Sequence, residues 1–180
     1  MRFDRVSAKE YNTKQFIYKY HIYKIRREKK MDEKRVFDKD AFTGSTLIAK
    51  LTKNSLEEIR FSLLKNNFID LRIHFYFPGM TEPKPTKKGL WLSFEQISAI
   101  LAIFEKYTRN ETDDLNLEIT RSDKEKIRVY TGKFKGKKIV HIRLFYLKKD
   151  DFNPGKGVSF PIHMVNDVTE ALRKVQQFKK

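Results

Sequence analysis

Cysteine is absent from this 180-residue chain, which excludes a disulfide framework and any thiolate metal site. The same absence fits a reducing compartment. The four histidines, at positions 21, 74, 141 and 163, lack metal-ligand spacing. No apolar run approaches the roughly twenty residues that a membrane span needs, and the opening MRFDRVSAKE has no apolar signal core. P-loop, HExxH and nucleophile-elbow motifs are all missing. His74 and His141 do not align between the two halves of the chain described below. The paired acids Asp113-Asp114 and Asp150-Asp151 fall in turns without partners for a two-metal nuclease. The chain is therefore expected to be no enzyme and to need no cofactor.

Acid is scarce relative to base. Lys and Arg number 39 against 23 Asp and Glu, a formal charge of +16 that points to polyanions. Nucleic acid leads and an anionic membrane is the rival. Tryptophan occurs once, but 15 Phe and 8 Tyr exceed what two small cores need, so some aromatics are expected as base-stacking platforms.

One stretch is written twice, as Ile69–Tyr76 (IDLRIHFY) and Val140–Tyr146 (VHIRLFY). Each alternates core and polar residues, holds an Arg in the same place and ends in aromatics. The match extends backwards at a constant offset, pairing Leu47 with Leu115, Leu51 with Ile119, and Ile59-Arg60 with Ile127-Arg128. An internal duplication of this kind sets the architecture. The reading is a basic extension over 1–45, a first repeat over 46–110 and a second over 111–180.

In the first repeat, strands are predicted at Leu47–Thr52, Glu58–Leu64, Phe68–Phe77 and Gly89–Phe94, with a hairpin at Lys65-Asn66-Asn67. A helix over Phe94–Tyr107 carries Ile97, Ile100, Leu101 and Phe104 on one stripe, opened by a Ser93/Gln96 capping box. The second repeat gives strands at Leu115–Arg121, Lys126–Phe134, Lys138–Leu147 and Val158–Pro161. A turn at Lys135-Gly136-Lys137 and a loop KKDDFNPGKG separate them, and a helix from about His163 turns Val165, Val168, Leu172 and Val175 inward. The fold class is α+β, two β-β-β-β-α units, each a curved antiparallel sheet with its helix on one face. Within 1–45, the amphipathic Phe16–Arg27 suits a strand or a helix, and the charged run that follows it, with anchors Val36 and Phe37, suits a solvated helix or a basic arm.

An antiparallel sheet can leave its other face to water. With Ile69, Leu71 and Ile73 inward, Asp70, Arg72, His74 and Tyr76 are expected to project outward; in the second repeat His141, Arg143 and Phe145 are, with Arg128, Tyr130 and Lys126 beside them. Trp91 is expected to point away from the side of Leu90 and Leu92. Cations interleaved with aromatics suit single-stranded nucleic acid, whose bases are unstacked. Lys133, Lys135, Lys137 and Lys138 form the densest basic cluster, a candidate for phosphate contacts. Arg72 and Arg143 could instead pair with acids on adjacent strands, Glu58 or Glu118 for example.

The second repeat resembles the PC4 domain of transcriptional coactivators and single-stranded-DNA-binding proteins. The resemblance rests on Phe134-Lys-Gly-Lys137, Ile142-Arg143, Phe145-Tyr146 and Pro154-Gly-Lys-Gly157. The first repeat shows Leu71-Arg72, Phe75-Tyr76, Lys87-Lys-Gly89 and Leu92 but lacks the basic glycine turn. The arrangement is also similar in outline to tandem PUR-type β4α repeats. The resemblance implies that open sheet ridges and basic hairpins bind single-stranded or melted DNA with little sequence preference. It assigns backbone and stacking roles to Lys133, Lys135, Lys137, Arg143, Tyr146 and Lys156, and in the first repeat to Arg72, Tyr76, Lys87 and Lys88. Arg128, Tyr130 and Lys138 complete the expected site. The implied partners are single-stranded nucleic acid, DNA before RNA, and transcription or replication proteins, with no membrane. The implied setting is intracellular, nucleoid-associated or nuclear according to the organism. The two repeats would form an intramolecular pseudo-dimer, or the chain a homodimer. An RNA-binding protein and a protein or membrane-surface adaptor, the latter supported by Phe16–Arg27, are the alternative readings.

Overall fold

The computed structural model describes residues 44–65 and 67–179. The expectations for Phe16–Arg27 and for Val36 and Phe37 lie outside the described residues. Eight strands and two α-helices follow in the order β1 (Thr46–Asn54), β2 (Glu57–Leu63), β3 (Ile69–Phe75), β4 (Lys84–Leu92), α1 (Phe94–Thr108), β5 (Asn116–Ser122), β6 (Glu125–Phe134), β7 (Lys137–Lys148), β8 (Asp151–Pro161) and α2 (Val165–Gln176). Strands β1 to β4 form one antiparallel meander, sheet A, and β5 to β8 form a second, sheet B. Each sheet is followed by its helix, so the α+β fold of two β4α repeats is PC4/whirly-like.

Local chemistry explains the boundaries. The Ser93 hydroxyl accepts from the Gln96 backbone N–H at 3.3 Å, and the Gln96 side chain accepts from the Ser93 N–H at 3.0 Å, closing the expected capping box at the start of α1. The β6–β7 hairpin turns on two residues, Lys135 and Gly136, both at positive φ (49° and 76°), as a tight right-twisted hairpin requires. In the first repeat Asn67 takes φ 61°, and the Leu64 N–H donates to the Phe68 carbonyl across the corresponding turn.

Two expectations are corrected. The fourth strands are longer than Gly89–Phe94 and Val158–Pro161: β4 begins at Lys84 and β8 at Asp151. The KKDDFNPGKG segment is therefore mostly strand, because β8 pairs with β7 from Lys148–Asp151 onward and absorbs its proline in a register shift opposite Arg143–Phe145. Proline is tolerated there because β8 is an edge strand. The last helix begins with a 3-10 turn, Ile162–Met164, before α2.

The alternating residues of both sheets and the apolar stripes of both helices feed one core. Ile59, Phe61, Ile69, Leu71 and Ile73 from sheet A join Ile127, Val129, Val140, Ile142 and Val158 from sheet B, all nearly inaccessible. Phe104 of α1 meets Phe160 of β8 at 6.3 Å between ring centroids, so the repeats share packing. The helices also lie against each other: the Gln176 amide donates to the Phe94 carbonyl at 3.2 Å and to Ser98 at 3.0 Å, and Arg173 pairs with Glu105 at 2.9 Å. Helix α2 runs along edge strand β1, and α1 approaches β5, which covers the edges that an isolated unit would expose.

Candidate functional site

The two outer sheet faces carry matching residues in different states. In each repeat an Arg from β2 or β6 lies opposite an Arg from β3 or β7, as Arg60 opposite Arg72 and Arg128 opposite Arg143. The first Arg of each pair has an acid: Arg60 pairs with Glu58 at 3.0 Å, and Arg128 pairs with Glu118 at 2.6 Å. The second Arg of each pair lies flat across a glycine of the neighbouring strand. A Cβ on Gly89 would come within 2.9 Å of the Arg72 side chain, and one on Gly157 within 2.6 Å of Arg143 Cγ.

The second arginines then diverge. Arg72 is 3% exposed and forks onto Asp70, 1% exposed, with contacts of 2.8 to 3.1 Å, while donating to the Thr86 carbonyl at 2.7 Å. The expectation that Asp70 and Arg72 project into solvent is thus corrected: two residues apart on one strand, they share a face and neutralise each other. Their partner assignments also differ from the sequence reading, since Glu58 serves Arg60 and Tyr76, and Glu118 serves Lys126 and Arg128. The position matching Asp70 in the second repeat is His141. Among the described residues no carboxylate pairs with Arg143; its NH1 reaches the Gly155 carbonyl at 3.4 Å, and its Nε is buried without a partner.

Around Arg143 the outer face of sheet B is aromatic. His141 stacks on Tyr130 at 4.7 Å, Phe145 stands edge-on to Tyr130 at 6.2 Å, and Arg128 lies over Phe145 at 4.8 Å. Lys126 lies over Phe152 at 4.5 Å. Asn116, Glu118, Arg128, Tyr130, Phe145 and Pro154 line a shallow concavity on this face. Burial, and then the Arg143 charge, hold the His141 pKa below its ordinary value, so the ring beside Arg143 is neutral near pH 7. His141 Nδ1 sits 2.7 Å from the Ser159 hydroxyl, which fixes the ring.

The other expected residues divide. Lys133, Lys135 and Lys137 are exposed and have no carboxylate partner among the described residues, and Lys135 lies 5.7 Å from the Phe134 ring. Cross-strand register places Phe134 opposite Lys137 and Lys133 opposite Lys138, so strand alternation sets the two pairs on different sides of the hairpin. Lys138 is committed to Asp114 at 2.8 Å and to the Asp113 carbonyl. In the first repeat Lys87 is exposed, Lys88 pairs with Glu57 at 3.1 Å, and the Tyr76 hydroxyl donates to Glu58 at 2.5 Å. His74 is half-buried with Nδ1 unpartnered. Alternation along β7 puts Tyr146 with Leu144 and Ile142, half-buried against the core and on the opposite face from Arg143. Trp91 is 39% exposed while Leu90 and Leu92 are buried, so it points away from their side. Sequence reasoning passed over Phe134, 62% exposed between lysines at the hairpin tip, and Phe152; for Phe134 the two flanking lysines were the available signal.

These features define a class: a two-repeat α+β protein with one sheet face neutralised and the other basic and aromatic. The family described as Transcriptional Coactivator p15 (PC4) matches residues 122–171, from the end of β5 into α2. The match covers the second repeat, which has the open arginine; the first repeat shares its element order outside the match. No curated protein matches the chain. Among the described residues no cluster of acids and histidines could hold a metal ion, and no helix is long and apolar enough to cross a membrane.

Proposed function

We propose that this protein is a non-catalytic nucleic-acid-binding protein that takes single-stranded or melted DNA, with little sequence preference, across the outer face of its second repeat. The observation that carries the reading is Arg143, a guanidinium without an acid partner beside the Tyr130–His141 stack. A phosphate satisfies the cation, and unstacked bases find ring faces next to it. Lys135 and Lys137 extend the contact along the backbone, Lys133 adds charge from the other side of the same hairpin, Lys156 adds it beyond the end of this face, and Phe134 at the hairpin tip adds a further ring. The first repeat contributes Lys87 at its rim and otherwise acts as scaffold, in an intramolecular pseudo-dimer similar to paired single-domain PC4 proteins and to PUR-type tandems. The resemblance of the second repeat to a coactivator family supports a role in transcription, replication or repair, inside the cell and near DNA.

The test is salt-dependent binding to single-stranded DNA, single-stranded RNA and duplex of equal length. Single-stranded DNA is expected to bind tightest. Replacing Lys133, Lys135 and Lys137 together by Ala should weaken binding and lower the salt slope by about 0.7 per lost phosphate contact. Duplex binding as tight as single strand, or an unchanged slope, would contradict the reading.

A further inference from the structure

A second concavity lies where the core face of sheet B runs out and β4 of the first repeat begins. This cleft of about 350 Å³ is lined by Arg72, Trp91, Arg121, Glu125, Tyr146 and Lys156, among others. Consecutive residues connect it to the open face: Phe145 and Lys126 belong to the outer side, and Tyr146 and Glu125, their neighbours in sequence, belong to the cleft side.

The acid in this cleft needs a reason. A carboxylate repels phosphate, so a purely phosphate-binding groove gains nothing from Glu125. The equivalent acid in the first repeat, Glu57, is consumed: Lys53 reaches it at 2.7 Å and Lys88 at 3.1 Å. The counterpart of Lys53 is Arg121, which stands 3.8 Å from Glu125, and the counterpart of Lys88 is Lys156, which lines the same cleft; the Glu125 side chain is 36% exposed there, against 15% for Glu57. Two aromatic rings, two cations and an accessible carboxylate suit one nucleotide: rings for the base plane, cations for its phosphate, and the carboxylate for N–H donors on the base edge. Guanine offers two adjacent donors on its pairing edge, which a carboxylate accepts together. Cytosine offers an amino group beside an acceptor. Thymine and uracil offer a single donor between two carbonyls, which the carboxylate repels.

We propose that this inter-repeat cleft reads one base of the bound strand, preferring guanine, then cytosine, over thymine or uracil. The proposal rests on the single-strand reading above and adds one specific position to an otherwise tolerant surface. The test compares three twelve-nucleotide probes, all-thymidine or with one central guanine or cytosine, against the full chain at fixed salt. The guanine probe should bind about tenfold tighter than the all-thymidine probe, the scale of one bidentate base contact. In Glu125→Ala and, as a more conservative partner, Glu125→Gln, that ratio should fall to about one, while binding of the all-thymidine probe persists. The triple lysine variant should weaken every probe and keep the ratio. Equal affinities in the parent, or a ratio that survives loss of the carboxylate, would overturn the base-reading cleft and leave the single-strand reading standing. Failure of all three probes to bind would overturn both.

Discussion

Arg72 and Arg143 occupy the same place in two copies of one fold and have different partners. Both lie across a glycine of the next strand, and both stand opposite an arginine that already has its acid. Two residues upstream the first copy has Asp70 and the second has His141. That single difference turns one guanidinium into half of a buried ion pair and leaves the other as the cation of an aromatic face. A duplicated unit can thus neutralise the face of one copy and leave a cation on the face of the other by one substitution, because strand alternation brings the residue at i−2 onto the same face.

The comparison breaks most visibly through stability. Asp70→Ala leaves Arg72 charged and buried without its partner, a change that costs about 3–5 kcal/mol. Denaturant unfolding should show it, whereas Arg143→Ala should leave the unfolding midpoint much closer to that of the parent. Similar losses in both variants would erase the distinction between the repeats.

Binding sharpens it next. Tyr130→Ala removes the ring on which His141 stacks, and single-strand affinity should fall by about 1–3 kcal/mol, the scale of one base stack. Anisotropy titration checks this. An unchanged affinity would mean that Tyr130 serves packing alone.

A smaller effect follows from acid. Burial first, and then the Arg60 charge, hold His74 at about 4 instead of 6.5, so the unfolded chain binds its proton more readily. Burial would raise Glu57, but hydrogen bonds and charges from Lys53 and Lys88 reverse that and hold it at about 2 instead of 4.5. Both contributions are complete at neutral pH. The His74 contribution is lost as pH falls from 6.5 through 4, and the Glu57 contribution as pH falls from 4.5 through 2. Melting temperature followed against pH should decline in two overlapping stages, and His74→Gln should flatten the upper one.

Much of this was legible in the sequence. The doubled IDLRIHFY and VHIRLFY strands, the Ser93/Gln96 box and the apolar stripes of both helices set the element order. Alternation was also sufficient to place Tyr146 on the face away from Arg143. The state of the two faces was harder to read. Asp70 looks like one more exposed polar residue until its distance to Arg72 is known. Pro154, Gly155 and Gly157 look like a loop until β7 supplies their pairing. The cleft at Glu125 depends on how β4 of one repeat meets sheet B of the other, a juxtaposition that no local pattern encodes.

The most direct test installs the missing acid. His141→Asp places a carboxylate two residues before Arg143, as Asp70 stands before Arg72. Single-strand affinity of this variant, measured by salt titration beside the parent, is predicted to fall about tenfold or more, the scale of a charged hydrogen bond, with a shallower salt slope and an undiminished melting temperature. Parental affinity in a folded His141→Asp protein would contradict the claim that an unpaired Arg143 makes the second repeat the binding surface.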